Sequence, residues 1–193
     1  MSPSVSIIVP CYNASHYMHE VLLSIQNQTY KSFQCILIND GSTDNTLEII
    51  KNFPDERFEI YDQQNKGLSD TRNFGLEKAE GDFIFFCDSD DLLPPKAIET
   101  LVSAFTGKED IIVGKTATYS WDKKENISSL PHPSERQVIA NDHSEVLIKN
   151  MTEGLSPIAQ NKLYRKAFIR ENHLKFLSGI YHEDELWFFE TML

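Results

Sequence analysis

The stretch DFIFFCDSDD, Asp82 to Asp91, decides the fold because a buried-looking run ends abruptly in a cluster of acids. In its first part, Asp82 to Cys87, the residues from Phe83 on are apolar at successive positions and not only at alternate ones, which predicts a strand buried on both faces. Three of the next four residues are Asp88, Asp90 and Asp91. Like charges repel each other, so folding alone gives no reason to crowd these side chains. The pattern predicts a buried strand that delivers several carboxylates to one point.

Short apolar runs alternate with segments of helical periodicity on both sides of this stretch. The predicted strands are Val5 to Val9 (ended by Pro10), Phe33 to Ile38, Phe58 to Tyr61, Asp82 to Cys87 and Ile111 to Thr116. The predicted helices are Ser15 to Gln26, a segment capped by Ser42 or Thr43, Leu68 to Ala79, and Pro95 to Phe105. This β-α rhythm favours right-handed crossovers and an α/β domain with a mainly parallel, Rossmann-like sheet that has helices on both faces.

The rhythm breaks after Tyr119. Residues 120–137, SWDKKENISSLPHPSERQ, are polar, contain two prolines and show no period, which predicts a loop or insertion. Asp142 to Met151 is predicted to be helical, and IAQNKLYRKAFIRENHLKF is predicted to form a strand and a short helix. The last residues, FFETML, lie within an amphipathic run, so we expect them to continue into a longer protein.

Composition narrows the class of function. The chain has 193 residues and a net charge of -11, which disfavours nucleic-acid binding and purely electrostatic adhesion to anionic lipid. No apolar run approaches the roughly 20 residues of a membrane span, and the N-terminus has no basic region of a secretory signal. The three cysteines, Cys11, Cys35 and Cys87, are widely spaced and odd in number, which favours a reducing cytoplasmic setting.

Polar clusters follow three of the predicted strands. PCYN comes after the first strand, NDGS after the second, and DSDD after the strand that ends at Cys87. Ligands of an open parallel sheet collect beyond the carboxyl ends of its strands. We therefore expect the three clusters to meet at one edge of the sheet and to form a single binding site.

The acidic cluster has a chemical interpretation and a structural one. Asp88 and Asp90 are two residues apart, so in extended chain both carboxylates point the same way. One or two carboxylates plus substrate phosphates usually hold Mg²⁺ at a nucleotide site. Alternatively, Asp90 or Asp91 caps the helix near Pro95. An EF-hand calcium loop is disfavoured because its glycine and closing glutamate are missing.

The other clusters also leave two interpretations open. Asp40 either accepts a hydrogen bond from a nucleobase or serves the NDGS turn. Arg72 either reaches a diphosphate or base, or lies on a solvated helix face. Glu183, Asp184 and Glu185 either complement the dipole of an apolar helix or include a general base. The neighbouring His182 could be a ligand, a base or a surface residue.

Together these clusters resemble the family 2 inverting glycosyltransferases of the GT-A fold. The resemblance begins with VSIIVPCYNASHYMHEVLLSIQNQTY and continues through LINDGSTDNT and NKGLSDTRNFGLEKAEGDFIFFCDSDDLLPP. It ends with NKLYRKAFIRENHLKF and YHEDELWFF, and so covers nearly the whole chain. Five motifs in register are far more specific than any one of them.

The resemblance implies a nucleotide-diphospho-sugar donor, most often UDP-linked. Pro10, Tyr12 and Asp40 would line the base pocket, with Tyr12 stacking on the base. Arg72 would contact the base or the diphosphate. The turn has Asn39 where many members carry a second acid, which leaves Asp40 in place but alters its surroundings.

The resemblance also implies a metal and a general base. Asp88 would approach the ribose and the metal, Asp90 would bind Mn²⁺ or Mg²⁺, and Asp184 would deprotonate the acceptor hydroxyl. Gln160 stands where an aromatic residue is frequent, which affects the acceptor side. Residues 1–118 would form the nucleotide-sugar-binding half of a single domain, 119–140 a variable loop or insertion, and 141–193 a truncated acceptor-side half.

The implied activity is metal-dependent, inverting sugar transfer to a hydroxyl of a glycan or lipid-linked acceptor in cell-surface polysaccharide synthesis. The expected location is the cytoplasm, at the inner face of the membrane if a missing C-terminal part associates with it peripherally. Two alternatives remain: a non-catalytic nucleotide-sugar-binding module, and a nucleotidyltransferase, which the lack of an early GxGxR loop disfavours. The sequence does not specify the sugar, the acceptor or the oligomeric state.

Overall fold

A computed structural model describes residues 4–114, 116–129 and 157–192. The strands are β1 (Val5–Cys11), β2 (Phe33–Asp40), β3 (Phe58–Gln63), β4 (Phe83–Phe86), β5 (Ile111–Val113), β6 (Ala117–Ser120), β7 (Glu125–Ser129) and β8 (Lys162–Arg165). The helices are α1 (Met18–Gln26), α2 (Thr46–Asn52), α3 (Leu68–Lys78), α4 (Ala97–Ser103), α5 (Lys166–Glu171) and α6 (Glu183–Met192).

Six of the strands form one sheet in the order β3-β2-β1-β4-β8-β5. The pairs β1–β2, β2–β3 and β1–β4 are parallel, whereas β8 runs antiparallel to both β4 and β5. The prediction of a mainly parallel α/β sheet is therefore confirmed. The strand order reverses between β1 and β4, and ligands bind at such a switch point in open α/β sheets.

The core lies on both faces of this sheet, as the uninterrupted apolar runs predict. In β1, Ile7 and Val9 join the cluster that includes α1, α2 and α4, while Ile8 joins the cluster on the other face. That second cluster includes residues of α5 and α6, among them Trp187 and Phe188. Alternate residues of one strand thus bury against different helix layers.

Gly75 allows α3 to lie directly on β1 and β2. A Cβ atom at this position would be 2.4 Å from Cγ2 of Ile8 and 3.2 Å from Cδ1 of Ile38. Only glycine fits so close an approach of helix and sheet. Because Arg72 is one turn before Gly75, the same approach places Arg72 over the carboxyl end of the sheet.

Several predicted details need correction. Strand β1 continues through Pro10 to Cys11, since Pro10 lies opposite Ile38 in the ladder. The N-cap of α2 is Asn45, not Ser42 or Thr43, and the Asp44 carboxylate accepts the backbone N–H of Thr46 at 3.0 Å. A polar cap signal therefore exists, but it lies one to three residues later than predicted.

The loop interpretation of residues 120–137 is wrong for their first part, whereas the alternative of an insertion stays a prediction. Residues 117–120 and 125–129 pair as the antiparallel β6–β7 hairpin. Most residues of 120–129 are polar, and a period-based prediction recognises a strand by its apolar residues. The predicted helix from Asp142 to Met151 lies outside the described residues, and the division at 118 and 140 stays a prediction. Among the described residues, no helix has the length and hydropathy that crossing a membrane requires.

Candidate active site

The predicted site residues gather at the carboxyl ends of β1, β2 and β4. Tyr12 directly follows β1, is 52% exposed and has an accessible ring. Pro10 is buried within β1, next to Ile38 of β2. Asp88 follows β4 after one intervening residue. The convergence expected from the sequence is therefore found, and the contacts of Tyr12 and Pro10 with a base stay predictions.

Asp40, the last residue of β2, is 4% exposed and organises the loop before α3. Its Oδ1 accepts hydrogen bonds from the Gln63 side chain at 2.8 Å and from the backbone N–H of Lys66 at 2.9 Å. Its Oδ2 accepts the backbone N–H of Gly67 at 3.0 Å. The carboxylate thus fixes the entry to α3, which is a structural role beyond the turn that was predicted.

Arg72 of α3 lies at the centre of the site and is fully buried. Nη2 donates to Oδ1 of Asp88 at 2.9 Å, and Nη1 donates to Oε1 of Glu183 at 3.0 Å. Nη1 also donates to Oδ1 of Asp184. The alternative that Arg72 lies on a solvated helix face is wrong, because three carboxylates and the ring of Phe176 enclose it. The centre of that ring is 5.1 Å from the guanidinium carbon.

Asp88 has partners on both sides. Oδ1 accepts from Arg72, and Oδ2 accepts a hydrogen bond from Nε2 of Gln160, which precedes β8. Oε1 of Gln160 is buried and has no hydrogen-bond partner among the described residues. A buried acceptor without a partner is costly, so this oxygen is available to a ligand that brings a donor.

The remaining acids separate into two groups. Asp90 and Asp91 are exposed on the loop after β4. The helix α4 begins at Ala97 with Lys96 as its N-cap and has no side-chain cap bond, so the interpretation of Asp90 or Asp91 as a cap is wrong. The turn is closed instead by the backbone N–H of Asp91, which donates to the carbonyl of Asp88 at 3.1 Å.

At the start of α6, Glu183 and Asp184 both face Arg72, whereas the side chain of Glu185 is 55% exposed. His182 is exposed, and its Nδ1 is 4.0 Å from Oε1 of Glu185. It is therefore a surface residue. Acids in the first turn also suit the helix dipole, so the two interpretations of this acidic run are compatible.

The family model described as "Glycosyl transferase family 2" matches residues 6–173 of this chain. The chain belongs to glycosyltransferase family 2. It is 33% identical over 178 residues to EpsH of Bacillus subtilis (strain 168), which covers 91% of this chain and 51% of EpsH.

It is also 33% identical over 199 residues to the poly(ribitol-phosphate) beta-N-acetylglucosaminyltransferase TarP of Staphylococcus aureus (strain N315), covering 98% of this chain and 57% of TarP. The chain thus spans about half the length of the curated relatives it matches.

Solved structures support the same fold. Residues 1–349 of S. aureus TarS, crystallised with UDP, align with a TM-score of 0.79 at 23% identity, covering 98% of this chain and 55% of TarS. The Pyrobaculum calidifontis mannosyltransferase PcManGT, in complex with GDP-Man and Mn²⁺, aligns with a TM-score of 0.67 at 19% identity. That alignment covers 97% of this chain and 51% of PcManGT. At such identities the likeness shows the fold alone, and the predicted GT-A fold is confirmed.

The electrostatics of the site raise the pKa of Asp184. Burial raises the pKa of its carboxyl group to about 6, even though Arg72 lowers it, because Asp88 and Glu183 also raise it. A general base functions best when its pKa lies near the working pH. Asp184 is therefore a stronger base than an aspartate of ordinary pKa, and it has this basicity beside Arg72 at the start of α6.

The acidic loop is the loop after β4, and it carries Asp88, Asp90 and Asp91, whose like charges repel one another. Restricted hydration and the charge of Asp88 raise the pKa of Asp90. The same two causes, together with Asp90, raise the pKa of Asp91 to about 6. A cation bound at this loop would remove the repulsion, which is the physical reason to look for a metal here.

The donor set fits a metal that is shared with a substrate. Within residues 4–114, 116–129 and 157–192, no group of three or more His, Cys, Asp or Glu could hold a metal ion alone. Asp88 and Asp90 nevertheless supply two carboxylates at one turn. A nucleotide-site Mg²⁺ takes one or two carboxylates and completes its coordination with phosphate oxygens and water. The loop therefore suits Mn²⁺ or Mg²⁺ only together with a diphosphate.

The sequence did not identify the roles of Gln160, Glu183 and Lys162. Lys162 is fully buried, and burial lowers its pKa to about 7, although the nearby Asp184 charge raises it. Its Nζ donates to the carbonyl of Ile158 at 2.6 Å and to Oδ1 of Asn161 at 3.0 Å. For Lys162 the available signal was a lysine inside the predicted strand NKLY, since lysine is seldom fully buried.

Proposed function

We propose that this chain is the donor-binding and catalytic part of a metal-dependent, inverting glycosyltransferase that uses a UDP-sugar. The observation that carries the proposal is the buried guanidinium of Arg72, which hydrogen-bonds both Asp88 and Asp184. One side chain thus fixes the donor-side carboxylate relative to the candidate base. Direct displacement needs that fixed relationship, because both reacting groups must be oriented at once.

The donor would bind across the carboxyl ends of β1, β2 and β4. We propose that the nucleobase of the donor stacks on the exposed ring of Tyr12, with Pro10 and Asp40 at the floor of its pocket. Asp88 would lie at the ribose and diphosphate, with Asp90 as the second metal ligand. Arg72 would hold Asp88 in position behind the diphosphate, because its buried guanidinium donates to Oδ1 of Asp88.

The reaction we propose is a single displacement at the anomeric carbon. Asp184 accepts the proton of the acceptor hydroxyl while that oxygen forms its bond to the carbon. The bond from the anomeric carbon to the diphosphate breaks in the same step, and its electron pair leaves with the diphosphate. When bound, Mn²⁺ or Mg²⁺ would stabilise the negative charge on that leaving group. Attack from the face opposite the leaving group gives inversion, as in inverting glycosidases.

We propose a hydroxyl of a glycan or lipid-linked acceptor, in cell-surface polysaccharide synthesis. Support comes from TarP, whose name gives poly(ribitol-phosphate) as its acceptor, and from TarS, which was crystallised with UDP-GlcNAc. We propose the cytoplasm as the compartment, including the inner face of the membrane if further chain associates with it peripherally. The cysteines Cys11, Cys35 and Cys87 are free and buried, which suits a reducing compartment.

The test is a thermal-shift screen of nucleotide-sugars with and without Mn²⁺, followed by a transfer and hydrolysis assay on the best ligand. A donor at 100 times its dissociation constant should stabilise the protein by about 2.7 kcal/mol. We expect UDP-sugars with Mn²⁺ to raise the melting temperature most. A flat response to every nucleotide diphosphate would refute the proposal, whereas binding without transfer or hydrolysis would indicate a non-catalytic module.

A further inference from the structure

The β6–β7 hairpin contacts the acidic loop through one side chain. Trp121, in the turn that follows β6, donates its indole N–H to the backbone carbonyl of Asp90 at 3.1 Å. Its ring lies 4.9 Å from that of Tyr17 and 5.3 Å from that of Tyr119, measured between centroids. Tyr17 and Trp121 are half-buried against the core beneath α1 and α4. The indole is thus held by aromatic packing while its N–H points at the loop.

The rest of the loop is held from a different direction. Its end is bonded to α1 and to Gln28, two residues beyond that helix. The backbone N–H of Leu93 donates to the hydroxyl of Ser24 at 3.2 Å, and Nε2 of Gln28 donates to the carbonyl of Pro94 at 2.8 Å. Its start is fixed by Arg72, which bonds Asp88. Between these two anchors, the peptide after Asp90 is bonded to the indole N–H.

We propose that Trp121 is a positioning residue that orients Asp90 for binding of a divalent cation with a nucleoside diphosphate. Repulsion among Asp88, Asp90 and Asp91 pushes this turn apart. The hydrogen bond from the indole N–H to the Asp90 carbonyl resists that movement. Tryptophan suits the task because its N–H only donates and its ring has few rotamers to lose. This inference rests on the proposed function, since it assumes that Asp90 binds the metal.

One consequence concerns the hairpin. Its tip packs against the residue that caps α1 through the Tyr17–Trp121 contact, and Nζ of Lys124 lies 3.7 Å from Oε1 of Glu20 in α1. That ion pair is exposed and contributes little, so the indole carries the connection. The geometry of the acidic loop therefore depends on a segment that was predicted from the sequence to be a variable loop or insertion. Changes in this hairpin would alter donor binding without touching the donor.

The test measures Mn²⁺ affinity in the presence of UDP by calorimetry, and UDP affinity without metal. Trp121→Phe keeps an aromatic ring and removes the N–H, Trp121→Ala removes both, and Tyr119→Phe is the control within the same cluster. We expect Trp121→Phe to weaken Mn²⁺ binding by about tenfold, the order expected for one hydrogen bond. UDP binding without metal and the melting temperature of the free protein should change little.

Fluorescence gives an independent readout. The chain has two tryptophans, and Trp187 is fully buried in the core. Mn²⁺ with UDP should quench the emission of Trp121, and Trp121→Phe should abolish the quenching, while Trp187→Phe should keep it.

If wild-type protein binds no UDP with Mn²⁺, the proposed function fails and this inference fails with it. If wild type binds and Trp121→Phe binds Mn²⁺ equally well, only the role of Trp121 is overturned. Unfolding of Trp121→Ala would leave the decision to Trp121→Phe.

Discussion

Arg72 and Asp184 are hydrogen-bonded through Nη1 and Oδ1, although they are 112 residues apart in the chain. The contact joins α3, which follows the loop held by Asp40, to α6, which carries the candidate general base. A fully buried guanidinium needs charged partners, and here it obtains them from both halves of the site. Folding of the α6 region therefore completes the charge balance of the donor side, and the two halves depend on each other.

Asp184→Asn should separate binding from catalysis. The amide can still accept from Arg72 through its oxygen, but it cannot take a proton from the acceptor. We expect transfer to fall by about 100-fold or more, the usual contribution of a general base. UDP and Mn²⁺ affinity, measured by calorimetry, should stay close to wild type.

Glu185→Gln is the matched control for Asp184→Asn, because Glu185 is the next acid on α6 and is exposed away from Arg72. It should leave transfer unchanged. Wild-type transfer by Asp184→Asn would show that another group is the base, and Glu183 would then be the first candidate.

Transfer should rise with pH through about 6. Burial and two like charges raise the pKa of Asp184 to about 6, and only the ionised carboxylate accepts the proton. Below that value the active fraction falls about tenfold per pH unit, and above it the rate levels off. The measurement is kcat/KM with a saturating metal concentration at each pH.

In Glu183→Gln, the rise of kcat/KM with pH should occur at lower pH than in the wild type. Glu183 is one of the charges that raise the pKa of Asp184, and it shares Nη1 of Arg72 with it. Removing that charge both ends the repulsion and leaves the guanidinium to Asp184, and both effects favour ionisation. A rise at the same pH as in the wild type would mean that the pH dependence arises from a group other than Asp184.

The sequence predicted site residues that lie in a recognisable local pattern, but not the contacts between distant segments. Asp88 was identifiable because it directly follows a run of consecutive apolar residues. Asp184 was distinguished from its acidic neighbours only by the resemblance to the family. The burial of Arg72 was not predictable, since the three carboxylates that make it favourable come from two distant segments. The hydrogen bond from Gln160 to Asp88 is hidden for the same reason.

The fold shows a similar division. Local patterns located β1 to β5 and α1 to α4 because periodicity and turn residues are properties of neighbouring residues. The antiparallel insertion of β8 between β4 and β5 is a long-range choice, with Leu163 opposite Phe85 on one side and Ile112 on the other. No local pattern specifies such a pairing.

Arg72→Met should destabilise the protein at neutral pH. The substitution leaves Asp88, Glu183 and Asp184 facing one another without a cation, and breaking a buried pair typically costs about 3–5 kcal/mol. Urea unfolding at pH 7 measures the loss. Arg57→Met is the control, because Arg57 pairs with Asp55 and keeps a side chain that is 22% exposed, so its loss should cost less. Equal costs would contradict the central role of Arg72.

Asp90→Ala should abolish the effect of Mn²⁺ on UDP binding and leave the weaker, metal-independent binding. Asp90 is exposed at the turn and bonds no helix end, so its removal should cost little stability. Asp91→Ala is the control in the same turn and should retain the metal effect. If Asp91→Ala loses the effect and Asp90→Ala keeps it, the metal ligand is Asp91.

Asp40→Asn should loosen the loop before α3. Three donors converge on the carboxylate, from Gln63, Lys66 and Gly67, and an amide must turn its own N–H₂ toward at least one of them. An unsatisfied buried donor costs about 1–3 kcal/mol, so urea unfolding should show a loss of that order, with weaker UDP binding. Asp62→Asn is the control, because Asp62 accepts from Asn39 at 2.7 Å and the amide oxygen can replace it. Unchanged stability of Asp40→Asn, with UDP binding lost, would place Asp40 on the nucleobase and not in the support of the loop.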